Sequence, residues 1–136
     1  MSWDIFVQDL PKNARRIEDI PSDFQPQPIL PKARIEAVFK EAAPFTDFSN
    51  PRWWRVTCSF FSIEVNIGAE DPSNGFALHV RGGEQAAGFV AEVVTRLGVR
   101  ALDPCSDTGF FDPEKCKESF LKWKAYRDHV ISKEGE

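Results

Sequence analysis

The sequence predicts an α+β fold: a mostly antiparallel sheet of about five strands with helices packed on one face. Two neighbouring runs, FSIEVNIG and FALHVRG, alternate apolar and polar residues, as half-buried strands do. Other stretches have apolar residues at helical spacing on one side only, so each helix can bury a single stripe. The expected order of elements is β-α-β-β-β-α-β-α.

The chain is expected to form one domain over residues 1–136. Residues 2–9, SWDIFVQD, alternate in type and are rich in β-formers, so they predict the first strand. Residues 11–30 follow, within a stretch that has five prolines from Pro11 to Pro31. Proline fixes φ and lacks a donor, which predicts an irregular arm, and the apolar residues of this arm indicate that it lies ordered along the core.

A helix is predicted over residues 31–43, because proline suits its first turn and apolar residues recur at helical spacing. The run RWWRVTCS predicts a second strand. FSIEVNIG and FALHVRG predict a hairpin, joined through AEDPSNG, which is rich in turn-forming residues.

The remaining elements follow the hairpin. Residues 84–97 predict a second helix, and Gly98 stands where a helix-terminating glycine belongs. VRALD predicts a short strand at an edge of the sheet. Asp112 begins a last helix as its N-cap, and residues 132–136, SKEGE, form a polar tail that is expected to fray.

The polar residues of the hairpin are the most site-like feature of the sequence. Matching the apolar rows of its two strands predicts the opposed pairs Val65 with Val80, Glu64 with Arg81, and Asn66 with His79. A carboxylate, an amide, an imidazole and a guanidinium then share one face of the sheet. They could bind a ligand or a partner, or carry acid–base chemistry. The plainer interpretation, which the pattern favours, is a solvated face with a cross-strand ion pair.

Gly82 and Gly83 join this strand to the next helix. Glycines at such a place let an anion approach free backbone N–H groups, which makes both residues candidates for ligand binding. The phosphate-binding motifs G-x-G-x-x-G and G-K-[ST] are missing from the sequence, and a tight strand-to-helix turn explains the glycines as well.

The sequence has few residues in patterns that bind metals or carry out nucleophilic catalysis. We therefore expect no cofactor, no metal and no catalytic residue. The sequence has two histidines, on different elements, and three cysteines without C-x-x-C spacing. The aspartates Asp103, Asp107 and Asp112 could surround a hard cation, but they lack the spacing of a calcium loop. Cys58 with His79 is the one conceivable Cys–His pair, and Cys58 is in phase with core residues of its strand.

Charge and composition limit the classes of partner that we expect and indicate a location. A net charge of −4 argues against nucleic-acid binding, which usually needs a basic face. The sequence has no apolar run of the roughly 20 residues that span a bilayer, so a membrane is not expected. An odd number of widely spaced cysteines and an N-terminus without a signal-like apolar run favour a cytoplasmic location.

Two adjacent tryptophans, Trp53 and Trp54, fall on a predicted strand, where neighbours point to opposite faces. One is expected to pack under the helices and the other to lie on the far face. A tryptophan on that face is either a binding anchor or a residue covered by the proline-rich arm.

The opening strand WDIFVQD, the segment IPSDFQPQP, the hairpin FSIEVN…FALHVRGG and the stretch VRALDP resemble a set of small bacterial proteins of unassigned function. The resemblance covers most of residues 2–104. It implies a bacterial cytosolic setting, and it assigns no activity and no catalytic residue.

The sequence therefore favours a non-enzymatic protein-binding module, similar in kind to bacterial immunity or adaptor proteins. The alternative is a small anionic-ligand binder or an enzyme that uses Glu64, Asn66, His79 and Arg81. Self-association through an edge strand or the open face of the sheet is a third hypothesis.

Overall fold

The structure, a computed structural model, describes residues 1–134. Within that part the strands are β1 (Trp3–Val7), β2 (Trp53–Thr57), β3 (Phe61–Asn66), β4 (Phe76–Gly82) and β5 (Ala101–Leu102), and the helices are α1 (Lys32–Ala42), α2 (Gln85–Leu97) and α3 (Cys116–Glu134). The predicted fold class and element order are confirmed. Helix α3 extends past the point where the frayed tail was expected to begin, and residues 135–136 of that tail lie outside the described part.

The strands form one antiparallel sheet in the order β2-β3-β4-β1-β5, so β5 lies at an edge as expected. Short segments cover both edges. On the β2 side, the backbones of Asp47 and Arg55 exchange two hydrogen bonds of 2.8 and 3.1 Å. On the β5 side, Leu102 is bridged by Phe110. These segments occupy backbone groups that another strand would need in order to extend the sheet.

The core lies on one face of the sheet, under the helices. Phe39 of α1 packs edge-on against Trp54 at 5.7 Å between ring centroids, and Phe120 of α3 packs in the same way against Trp3 at 5.7 Å. Helix α2 contributes an apolar stripe that includes Phe89. Each fully buried side chain of this size contributes about 1.5–3 kcal/mol, so the burial of this face is the main source of stability.

The proline-rich arm is held at its beginning by Arg100. The guanidinium of this residue donates to the carbonyl oxygens of Pro11 at 2.6 Å and Ala14 at 2.7 Å. It also lies 4.3 Å from the ring centroid of Phe110, which completes a small second core with Ala14. A forked, permanently charged donor is suited to holding two carbonyl groups at once.

The end of the arm is held by backbone pairing between Leu30 and Ser73. Ile29 and Leu30 pack on the main core. Ile17 was expected to lie along the core with the other apolar residues of the arm, but its side chain is 49% exposed. The helices of residues 1–134 include no segment long and apolar enough to cross a bilayer.

A buried carboxylate joins the first strand to the last helix. Asp103 is fully buried and accepts hydrogen bonds from the indole Nε1 of Trp3 and the backbone N–H of Cys105, both at 3.0 Å. It also accepts from the hydroxyl of Ser119 in α3. These donors satisfy a group that would otherwise be costly to bury.

We expect Asp103→Ala to lower the free energy of unfolding by about 2–5 kcal/mol, because it leaves two buried side-chain donors without an acceptor. Asp107→Ala is the matched control. Asp107 is 87% exposed and pairs with Lys122 at the surface, so its loss should change stability little. Urea unfolding followed by tryptophan fluorescence measures both. Equal stability of the two variants would contradict the structural role of Asp103.

Candidate functional site

The hairpin register differs from the sequence prediction by two residues. Strand β3 pairs with β4 so that Glu64 lies opposite His79, Ser62 opposite Arg81, and Val65 opposite Leu78. The predicted pairs Val65 with Val80, Glu64 with Arg81, and Asn66 with His79 are wrong. A shift by two leaves every side chain on its face, so the apolar pattern fits both registers equally well.

Glu64, Asn66, His79 and Arg81 therefore still share the face of the sheet that is opposite the helices. We call this surface the open face. Its middle row crosses four strands, in the order Arg55, Glu64, His79 and Asp4. Every member of this row is half-buried or exposed. Arg55 and Asp4 were not among the predicted site residues, because both lie outside the hairpin. Asp4 is a polar position in the alternating pattern of β1, so it would have been predicted as a site residue if β1 had been placed beside β4.

His79 contacts both a carboxylate and an aromatic ring on this face. Its Nδ1 is 2.8 Å from the carboxylate of Asp4, and the hydroxyl of Ser2 donates to the same carboxylate. A carboxylate only accepts, so Nδ1 is the donor and Nε2 is the acceptor of the neutral ring. The indole of Trp53 stacks on the imidazole at 5.7 Å between centroids and 15° between planes.

This arrangement orients a histidine without placing a nucleophile on it. Ser2 contacts Asp4 rather than the imidazole, which is not the order of a Ser-His-Asp triad. Cys58 follows the end of β2 and its N–H bonds to Phe61, at the end of the sheet away from the row of His79. The only conceivable Cys–His pair of the sequence is therefore not assembled.

The predicted ion pair between Glu64 and Arg81 forms diagonally, with 3.5 Å between Oε2 and Nη1. Both side chains are partly exposed, so the pair contributes at most about 1 kcal/mol. Asn66 lies one row away, opposite Trp53. Beside them is an open depression of about 680 Å³, lined in part by Trp53, Arg55, Glu64 and Asn66. The surface is wide and shallow rather than a cleft.

Trp54 is buried and Trp53 is half-buried on the open face, which confirms the prediction that the two rings lie on opposite sides. Stacking on His79 holds the Trp53 ring in place. The ring is therefore both fixed and partly exposed on the open face.

Gly82 permits the close approach of two chain segments, and Gly83 follows it in the turn to α2. Gly82 has φ of +120°, and a Cβ there would lie 2.6 Å from the carbonyl oxygen of Phe60. The N–H of Gly83 donates to that same oxygen at 2.9 Å. This N–H is therefore not free to bind an anion, and the close approach of the backbone explains Gly82.

Asp103, Asp107 and Asp112, which were considered as ligands for a cation, each make contacts with different partners in the structure. Asp103 is buried in the core. Asp112 accepts from the N–H of Glu114 at 2.9 Å as the N-cap of a short 3-10 turn, Pro113–Lys115, that precedes α3, so the last α-helix begins later than predicted. Hydrogen bonding to Lys122 holds the pKa of Asp107 below its usual range. Among residues 1–134, the His, Cys, Asp and Glu side chains form no group of three or more that could hold a metal ion.

Comparison with protein-family models, curated proteins and solved structures found no match. The geometry of the open face is therefore the basis on which a function can be inferred. Its distinguishing features are the ordered row from Arg55 to Asp4 and the stacked pair of Trp53 and His79.

We expect Gly82→Ala to destabilise the protein by about 3 kcal/mol, because the new methyl group meets Phe60 and φ is unfavourable. Gly88→Ala is the control. Gly88 lies in the interior of α2, and an added methyl group there would have nothing within 4 Å, so alanine should stabilise the helix by about 0.5–1 kcal/mol. Chemical denaturation measures both. Destabilisation of similar size in the two variants would argue against the close-approach role.

We also expect Cys105 to be a slow nucleophile. Burial, and then the charge of Asp103, raise the pKa of this thiol, so less thiolate is present at neutral pH. Its alkylation by iodoacetamide should be slower than that of a short cysteine peptide at pH 8. The rate should also continue to rise at a pH where the peptide has levelled off. Peptide mass mapping isolates this site, and a rate equal to the peptide's at pH 8 would contradict the expectation.

Proposed function

We propose that this protein is a non-enzymatic protein-binding module that recognises its partner with the open face of its sheet. The observation that carries the proposal is the Trp53 ring, which is half-buried, lies next to the charged row and stacks on His79 of that row. Tryptophan and arginine are enriched among the residues that dominate binding energies at protein interfaces. A fixed aromatic ring also loses little conformational entropy when a partner covers it.

The shape of the surface supports a protein rather than a small molecule. Small-ligand sites are concave and bury most of the ligand. The depression next to Trp53 is open and shallow, and its lining continues into the charged row through Arg55 and Glu64. Such a surface matches the broad contact of a protein interface, in which an aromatic centre is surrounded by polar groups.

The alternative is a small anionic-ligand binder or an enzyme that uses Glu64, Asn66, His79 and Arg81. The pairing of His79 with Asp4 favours it, since a carboxylate that orients a histidine is common in acid–base sites. Against it, Arg81 already pairs with Glu64, so an anion would have to displace a carboxylate of the protein. The protein-binding proposal does not need that exchange.

The setting is part of the same proposal. A net charge of −4 and the resemblance to small bacterial proteins support an immunity- or adaptor-like role in a bacterial cytosol.

Tagged protein exposed to lysate of the native host should retain a partner, and Trp53→Ala should lose at least about 90% of it, because a central aromatic anchor is worth about 2 kcal/mol or more. Tyr126→Ala is the matched control, since Tyr126 is an aromatic residue of α3 that is 62% exposed. Quantitative mass spectrometry compares the captured amounts, and thermal melting verifies that both variants are folded.

Equal capture by the two variants, or no partner at near-stoichiometric yield, would count against the proposal. Saturable stabilisation by inorganic phosphate that His79→Ala and Arg81→Ala abolish would favour the alternative instead. Both substitutions remove polar side chains from the open face, so they should leave the fold intact.

A further inference from the structure

We propose that the open face binds a second copy of this chain, so that two sheets pack face to face as a symmetric dimer. This inference rests on the proposed function and names the partner of the same surface. It follows from the order of residues across the sheet, which is complementary to itself under two-fold rotation.

The middle row carries the charge complementarity. Arg55, Glu64, His79 and Asp4 follow one another across β2, β3, β4 and β1. A two-fold axis that runs parallel to the strands, over the gap between β3 and β4, places β2 over β1 of the second copy and β3 over β4. Arg55 then faces Asp4 of the second copy. Glu64 faces His79.

The symmetry doubles every one of these contacts. The two Arg55–Asp4 pairs lie on opposite sides of the axis, and the two Glu64–His79 pairs lie next to it. A row that began and ended with the same charge would instead oppose like charges in such a dimer. The opposite charges at the two ends of the row therefore favour a copy of this chain as the occupant over a partner with a face of single sign.

The neighbouring row supplies apolar contact under the same operation. It runs Trp53, Asn66, Ala77 and Phe6. The axis places Trp53 over Phe6 of the second copy, and Ala77 leaves room near the centre. Phe6 is 37% exposed, which leaves apolar area to be covered. An aromatic pair adds to the binding free energy beyond the contribution of the apolar area that it buries.

The fold favours this face over the edges of the sheet. Asp47 covers β2 and Phe110 covers β5, so pairing between edge strands is blocked on both sides. Two twisted sheets can pack face to face about 10 Å apart with strands within about 30° of each other. This angle displaces the outer strands of the two copies relative to each other. The side chain of Arg55 is long enough to reach Asp4 of the second copy in spite of this displacement.

The size of the face sets the expected affinity. Four strands about 4.8 Å apart, each with five residues at about 3.4 Å, give a surface of about 19 by 17 Å. Such a patch covers about 320 Å² per copy, well below the roughly 800 Å² per partner of a standard specific interface, so the dimer should be weak. We therefore expect a reversible dimer with a dissociation constant in the micromolar range, populated at high protein concentration.

Sedimentation velocity from about 5 to 500 μM tests the proposal. The wild-type protein should pass from monomer to dimer across this range. Arg55→Asp and Asp4→Arg should each weaken the dimer by at least about tenfold, because each variant opposes two like-charged pairs in its own dimer. An equimolar mixture of the two variants should restore dimerisation, since all four charges are then opposed to their opposites.

Controls separate this surface from other causes. Arg34→Asp makes the same charge change on the exposed part of α1 and should leave the wild-type dimer unaffected. Phe6→Ala tests the aromatic row without removing the contacts of Asp4, and it should weaken the dimer by about fivefold or more. Thermal melting verifies that Asp4→Arg is folded in spite of losing its bond to His79.

A wild-type protein that stays monomeric at 500 μM overturns the dimer, as does a mixture of the two charge variants that fails to associate while both are folded. A monomeric protein that nevertheless captures a different protein through Trp53 would leave the proposed function standing. The failure of the dimer and the failure of the proposed function are therefore distinguishable.

Discussion

The pairing of β1 with β4 is the contact on which the rest of the structure depends. It inserts the first strand of the chain into the interior of the sheet, between the hairpin and β5. Through this one strand, Trp3 reaches Asp103 on the core side and Asp4 reaches His79 on the open side. Alternation along a strand sends these neighbours to opposite faces. The same five residues thus help to hold α3 in place and complete the charged row.

Sequence patterns predicted the elements well, because each depends on local chemistry. The apolar stripe of α2 and the glycine after it are examples, since Gly98 has the left-handed φ of 69° that ends such a helix. Asp112 is an N-cap for the same kind of reason. The faces of the strands were also predictable, as a period of two assigns each residue to one side. Trp53 and Trp54 separate as that rule requires.

The register of the hairpin and the composition of the site could not be predicted in the same way. Registers two residues apart place the same side chains on the same faces, so only the conformation of the turn between Asn66 and Phe76 distinguishes them. The site also draws Asp4 and Arg55 from strands outside the hairpin. Their meeting with Glu64 and His79 depends on strand order, which is a property of the whole sheet. Asp103 is another such case, because its hydrogen-bond donors are supplied by β1 and α3.

The covered edges of the sheet also limit how copies of this protein can accumulate. Exposed edge strands add further strands without end, which is how fibrils grow. Here the backbone groups of Arg55 are taken by Asp47, and Leu102 is bridged by Phe110. Contact through a single face related by a two-fold axis uses up that face, so it ends with two chains. The irregular segments at the two edges therefore hinder the open-ended addition of strands. They would do so even at the high protein concentrations at which the open face could be covered by a second copy.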